Sequence, residues 1–292
     1  MKLGIIGGSG LYQLEGLTGI KEEKVHTPYG EPSDSYICGK IAERELCFLP
    51  RHGAGHRLLP SELNHRANIF GFKALGVERI ISVSAVGSLN ENLRPRDVAL
   101  PDQYFDRTKR SADHTFFGQG VVAHIGFGEP VCPDLRKILL EVSEKVITAD
   151  DQPEKVKVVD GGVYVNMEGP AFSTKAESNM YRQMGFDVIG MTSLAEAKLA
   201  REAEICYQPL AMVTDYDCWK ESEEAVSVEM VVENLKANSS LAKRIIRQLI
   251  PELSSERKCD CQDALGSALM TPPEAISEES KSRLGPILEK YV

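Results

Sequence analysis

Short runs of β-branched and other apolar residues, each closed by Gly, Ser or Asp, recur at residues 3–6, 79–84, 155–159, 163–166, 188–191 and 210–214. Runs that stay apolar without alternating predict strands covered on both faces. Between several of them lie segments of helical period built from good helix formers, at residues 62–75, 134–147, 174–184, 194–203 and 227–249. These predict helices that lay one apolar face on a sheet. Strands alternating with helices define an α/β class with a central, largely covered sheet.

No repeat and no low-complexity block interrupts residues 1–253, which read as one domain. From Ser254 to Val292 the chain turns polar, and Thr271-Pro272-Pro273 precedes a last predicted helix over 274–291. The few apolar residues of this tail (Leu265, Leu269, Ile276, Leu284, Ile287, Leu288) need a cover, on the same or a neighbouring subunit. With 34 basic against 43 acidic residues the net charge is −9, so no global basic field exists to draw nucleic acid or an anionic membrane. An anionic substrate must instead be held by a few local donors. The apolar run within the first eight residues is too short for a signal segment and no long apolar stretch follows, which predicts a cytoplasmic address. There the seven cysteines are expected as thiols, with Cys259-Asp260-Cys261 standing out by its spacing.

Several junctions carry candidate chemistry. Gly7-Gly8-Ser9-Gly10 follows the first strand, and its small residues let N–H groups and a hydroxyl approach an anion; a tight turn without ligand is the plainer reading. A dinucleotide fingerprint is incomplete, because Gln13 stands where Gly or Ala is wanted. Arg51-His52-Gly53-Ala54-Gly55-His56-Arg57 offers guanidinium forks among glycines for an anion, with a metal pair (His52, His56) and a solvated basic loop as alternatives. Ser84 emerges at a strand's carboxyl end, where open α/β sheets bind ligands, or simply ends a buried strand. Phe172 offers a stacking face, Met191 an adaptable apolar one and Glu168 an acceptor for a sugar hydroxyl, although Phe and Met are more often core residues. Thr192 or Ser193 also suits a helix cap.

The most informative run is Thr214-Asp215-Tyr216-Asp217-Cys218-Trp219, at the end of an apolar strand. In extended chain Asp215 and Asp217 share one face, roughly 7 Å apart along the backbone. Two partly buried carboxylates raise the proton affinity of one member, the condition for a general acid near neutrality. A divalent-metal site, or turn and cap residues, would use the same pair.

Taken in order, Gly-Gly-Ser-Gly-Leu, Leu-Pro-Arg-His-Gly-x-Gly-His, Asn-x-Arg-Ala-Asn-Ile, Met-Glu-Gly-Pro-x-Phe-Ser-Thr, Gly-Met-Thr-Ser and Thr-Asp-Tyr-Asp-Cys-Trp resemble the trimeric purine nucleoside phosphorylase family, in its branch acting on 5′-methylthioadenosine. The resemblance runs from residue 3 to about 250. It implies a single α/β domain whose mixed central sheet curls into a distorted barrel, no metal or organic cofactor, phosphate as co-substrate, and a homo-oligomer (trimer or dimer of trimers) with shared active sites. By position, Ser9, Arg51, His52, Ser84, Ala85 and Thr192 are similar to the family's phosphate ligands, Met191 to the residue under the ribose, and Phe172 and Ser173 to its base pocket. Asp215 and Asp217 are similar to the purine-reading pair. Val226, Val228 and Val231 lie in the segment that resembles the lid over the methylthio group, and His124 matches a histidine lent by the adjacent subunit. The expected activity is phosphorolysis of 5′-methylthioadenosine; a broader purine nucleoside or methylthioinosine phosphorylase and a non-catalytic nucleoside sensor are the alternatives. His65 replaces a more usual aromatic residue, and Ser9 and Ser84 replace frequent threonines. The Cys-x-Cys tail resembles that of prokaryotic members, some with extra disulfides, and leaves open whether Cys259 pairs with Cys261 or Cys132 with Cys206.

Overall fold

The computed structural model describes residues 1–8, 11, 14–149, 156–220 and 228–292, with side chains except at 228–232. The chain forms a single α/β domain around a large mixed sheet. Its first half supplies β1 (Lys2–Gly7), β2 (Thr18–Glu23), β3 (Tyr36–Ile41), β4 (Arg44–Pro50), α1 (His65–Ala74), β5 (Arg79–Ser88), β6 (Val98–Leu100), β7 (Gln103–Arg107) and α2 (Pro133–Thr148). The second half adds β8 (Val158–Asp160), β9 (Val163–Met167), α3 (Lys175–Gln183), β10 (Val188–Gly190), α4 (Ser193–Glu202), β11 (Cys206–Tyr216), α5 (Val228–Glu252) and α6 (Glu278–Leu284).

The sheet branches at β5. One path runs β2-β3-β4-β1-β5-β10-β9-β7, while β11 lies parallel along the whole of β5 and carries β6 and then β8 on its other edge. Each predicted strand is present, most of them longer at an end; residue 155 of the predicted 155–159 run lies outside the described residues. β11 reaches back to Cys206 because the stretch before residue 210 is equally buried against β5. Of the strands that the hydrophobic pattern did not announce, β2, reading Thr-Gly-Ile-Lys-Glu-Glu, is largely exposed at the sheet edge, β6 has three residues and β7 is polar, while β3 and β4 contribute buried core residues.

Helix ends follow local chemistry. Asn64 caps α1 by accepting from the Ala67 N–H, so the predicted start at 62 becomes a separate 3₁₀ turn over Pro60–Glu62. Thr174 and Glu177 close a capping box on α3. The helix expected over 274–291 is shorter, since the chain turns at Gly285 with φ +43 and Pro286 follows, leaving α6 between two 3₁₀ turns.

The tail is covered by its own chain. Leu265, Ile276, Leu284, Ile287 and Leu288 are buried in one cluster with Phe70, Phe116, Val121 and Leu199. Main-chain bonds from Met270 N–H to the Val122 carbonyl (2.9 Å) and from His124 N–H to the Ala268 carbonyl (2.8 Å) sew it to the body. A partner subunit is therefore not required to cover these residues. Cys38 and Cys47 also depart from the expectation of free thiols: they are direct partners across β3 and β4 and form a disulfide. That pairing was hidden because β3 was not among the predicted strands. Among the described residues no helix is long and apolar enough to cross a membrane.

Candidate active site

The carboxyl ends of the parallel neighbours β4, β1, β5 and β11 lie at one end of the sheet, where Arg51 reaches Glu196 of α4. Ala85 is exposed in the middle of β5, a strand otherwise almost wholly buried, so the sheet is open to solvent there. The neighbouring Ser84 is buried, and its Oγ has no hydrogen-bond partner among the described residues. An unsatisfied buried hydroxyl is costly unless a ligand completes it.

Beside it, the pairing of β5 with β11 slips by one residue between Val213 and Asp215. Thr214 is the extra residue of this bulge, and its hydroxyl donates to the Val86 carbonyl (3.2 Å) and to the Asp215 carboxylate. From α5, Asn234 and Asn238 donate to the Thr214 and Val213 carbonyls (3.0 and 2.8 Å), bracing the irregular backbone. The simple alternation of a regular strand therefore does not place Asp215 and Asp217; a bulge and a strand end do, with Asp217 N–H bonded to the Ser88 carbonyl at 3.0 Å. Both acids nevertheless gather on Gly87. A methyl group at Gly87 would stand 3.5 Å from Asp217 Cβ and 3.7 Å from Asp215 Oδ2.

Burial pushes the Asp215 carboxyl above the usual aspartate range; the Thr214 hydroxyl opposes this and the charge of Asp217 adds to it. Asp217 is only 8% exposed, and its Oδ2 finds no donor among the described residues. The site thus holds a carboxyl primed to keep a proton beside a buried, underused acceptor.

The basic side is more enclosed than the sequence implies. Arg51, at the end of β4, is buried and forks onto the fully buried Glu196 of α4, Nε to Oε1 at 2.5 Å and Nη2 to Oε2 at 3.2 Å. Nη2 also donates to Ser82 Oγ (2.7 Å) and Nη1 to the Val83 carbonyl (2.8 Å). Burial alone would ease the proton off Arg51, but the charge and hydrogen bond of Glu196 override it and raise the affinity. Burial likewise opposes ionisation of Glu196, and Arg51 overrides it to hold that carboxyl below its usual value. Among the described residues the second N–H of Nη1 has no acceptor, the Val83 carbonyl taking the first. His52 is half-buried with Nδ1 2.8 Å from the Leu58 carbonyl, which assigns the proton to Nδ1 in the neutral ring; its ring stacks on His56 at 4.4 Å. Burial is the main reason its proton affinity is lowered.

Thr192 precedes the ten-residue α4 and is buried, but its side chain makes no capping bond. Asn166 holds the turn before it, donating to the Met191 carbonyl (3.1 Å) and accepting from Leu194 N–H (3.0 Å). Met191 packs against Gly169, and Glu168 accepts from Lys109 N–H at 2.6 Å. A small cavity alongside is lined by His65, Arg110, His114, Glu168 and Met191. Burial lowers the proton affinity of His65, to about 4, and of His114, and the two rings meet edge to face.

Phe172 stands 82% exposed, and Ser173 sits next to the acidic pair, its carbonyl accepting from Cys218 Sγ at 3.3 Å. Trp219 closes that side, its Nε1 donating to the Ser88 carbonyl (2.8 Å) while Arg182 covers the ring. His124 is exposed on the segment stitched to the tail, apart from these groups in sequence and element. Ser9 and Val226, and the side chains of Val228 and Val231, lie outside the described residues. Glu196 and Asn166 were missed by sequence reasoning. The signals were a lone acid inside the apolar stretch of α4, four residues after Thr192, and an Asn ending the β9 run.

Arg51, Ser84 and the acidic pair thus lie along or just beyond the carboxyl-terminal halves of neighbouring parallel strands. The chain belongs to the phosphorylase superfamily, whose profile matches residues 2–251. More particularly, it is 53% identical over 290 residues to the S-methyl-5′-thioadenosine phosphorylase of Koribacter versatilis, covering 99% of this chain and 96% of that one. It is 51% identical over 290 residues to the enzyme of the same name from Geobacter sulfurreducens, covering 99% of each. Its fold superposes on a crystal structure of a methylthioadenosine phosphorylase from an antarctic soil metagenomic library with a TM-score of 0.92, at 49% identity and 98% coverage of both chains. A methylthioadenosine phosphorylase from Schistosoma mansoni in complex with adenine matches at TM-score 0.82 and 35% identity, over 92% of this chain and 99% of that one.

Proposed function

We propose that this chain is an S-methyl-5′-thioadenosine phosphorylase, cleaving 5′-methylthioadenosine with phosphate to adenine and 5-methylthioribose 1-phosphate. The observation that carries the reading is the Asp215 and Asp217 pair gathered on Gly87, beside the unpartnered Ser84 hydroxyl. Phosphate attacks C1′ as the bond to the purine breaks, so positive charge builds on the sugar and negative charge on the departing base. Asp215, whose proton affinity burial raises, gives its proton to N7. Asp217 Oδ2 accepts from the 6-amino group, whereas a 6-oxo group would place acceptor against acceptor.

Phosphate lies in the corner of Ser84, the Ala85 backbone, Thr192, His52 and the spare Nη1 hydrogen of Arg51, with Ser9 completing it. The reaction draws on no metal or organic cofactor. Met191 underlies the ribose, and Phe172 and Ser173 border the base. His124, together with Val228 and Val231, reads the 5′ substituent, the histidine being lent by a second subunit of a trimer or dimer of trimers. Its support is an exposed ring on a backbone fixed at Ala268. The test compares catalytic efficiency on 5′-methylthioadenosine, adenosine and methylthioinosine in wild type and Asp217→Asn. Wild type is expected to favour the 6-amino substrates and the variant to lose that preference; a wild type that favours methylthioinosine would overturn the reading of the base.

A further inference from the structure

Far from this site, four cysteines converge on one point. Cys132 caps α2, Cys206 opens β11, and Cys259 and Cys261 flank the start of the tail's first 3₁₀ turn. Their four sulfurs all lie within 4.8 Å of one another, with Cys206 and Cys259 at 3.4 Å. We propose that Cys132, Cys206, Cys259 and Cys261 form a tetrathiolate site for a zinc-class divalent cation that locks the tail to the body.

The geometry fits that cation. A tetrahedral centre with metal–sulfur bonds of about 2.3 Å holds its sulfurs about 3.8 Å apart, within the range these four span. Cys206 and Cys259 are too far apart for a covalent bond, and the sulfurs form a single cluster rather than two separated pairs. An all-sulfur set selects a soft or borderline ion and not magnesium or calcium. The surroundings suit thiolates: Leu135 N–H donates to Cys132 Sγ (3.4 Å), and the Arg201 guanidinium donates to Cys261 Sγ (3.8 Å), setting a fixed positive charge beside a site whose net charge would be negative. Binding replaces four thiol protons, released to solvent, with four metal–sulfur bonds and changes no oxidation state.

The ligands come from the start of α2, the start of β11 and the tail, three segments far apart in sequence. The site stands at the opposite end of β11 from Asp215, roughly 30 Å away by the rise of a strand, so it is structural and takes no part in the reaction.

The test is metal analysis of the full-length protein purified without chelator, alongside Cys259→Ser, with cobalt(II) added to metal-stripped wild type. The expected result is about one zinc per chain, lost in Cys259→Ser together with several degrees of melting temperature, and a tetrahedral tetrathiolate visible spectrum on cobalt addition. The cobalt measurement stands even if the serine variant fails to fold. Three outcomes would overturn the proposal: non-reducing peptide mapping that finds these cysteines in disulfides, four free thiols that take up neither zinc nor cobalt, or zinc retained undiminished in a folded Cys259→Ser, which would be an adventitious ion only.

Discussion

Removing Arg51 exposes how the site is built. In Arg51→Ala the carboxylate of Glu196 stays fully buried, having lost both arms of its fork, while Ser82 and Tyr207 still donate to Oε2. Breaking a buried pair by deleting one partner costs about 3–5 kcal/mol, because the remaining charge is left uncompensated. For a chain of this size that loss lowers the melting temperature by roughly 5–8 °C. Phosphate use should also weaken, since the spare Nη1 hydrogen goes with the side chain. The assay is thermal or urea unfolding of wild type, Arg51→Ala, Glu196→Gln and Arg51→Met/Glu196→Met, with and without phosphate. The double variant, which removes both charges, is expected to lose less stability than the sum of the single deletions. The reasoning fails if Arg51→Ala unfolds with wild type and only its phosphate KM rises, for then the guanidinium serves the ligand and not Glu196.

Three further outcomes follow from the same structure. Asp215→Asn should cut adenine release by roughly 10²–10⁴-fold, the usual worth of general acid catalysis, and should erase the fall of wild-type kcat as pH rises through the raised Asp215 value; full retention of that alkaline limb in the variant would assign the proton to another group. Glu202 is buried, accepts from Thr115 Oγ1 and Phe116 N–H, and is pushed up to about 7 by desolvation. A carboxyl with a raised folded value stabilises its neutral form, so the benefit is fully present below the ordinary value of 4.5 and is lost as pH rises from there through about 7, with a slope of up to about 1.4 kcal/mol per pH unit; denaturant titrations across pH 4 to 8 should show this slope in wild type, levelling off above about 7, and not in Glu202→Gln. Leu284→Ala, in the cluster that seats the tail, should cost about 2–5 kcal/mol, measured by the same titrations, while a loss under 1 kcal/mol would mean the tail is not part of the cooperative core.

Much of the fold was legible because buried strands and capped helices write their pattern locally. The runs at 79–84 and 210–214 announced β5 and β11, and the helical period over 174–184 marked α3 to within a residue. Edge strands were not legible: β2 has no apolar run since it covers no core, and the Cys38 to Cys47 bridge needed the β3–β4 register. At the site, the Asp pair was visible but its placement was not, since it depends on a bulge at Thr214 that only the partner strand reveals. Arg51 was expected as an anion donor, yet two of its N–H groups fork onto Glu196, a partner 145 residues away that no local pattern could supply. The tail's need of cover was read correctly from Leu284 and Ile287, but what covers them is set by tertiary packing.

The central claim is that phosphate, and not water, attacks the sugar while a 6-aminopurine leaves. The direct measurement is product stoichiometry from 5′-methylthioadenosine with wild-type protein, with phosphate present and withheld, following adenine, 5-methylthioribose 1-phosphate and free 5-methylthioribose together. Adenine and the sugar phosphate should appear in equal amounts, with negligible release when phosphate is absent. Adenine formed at the same rate without phosphate, accompanied by free methylthioribose, would make the protein a hydrolase and contradict the account.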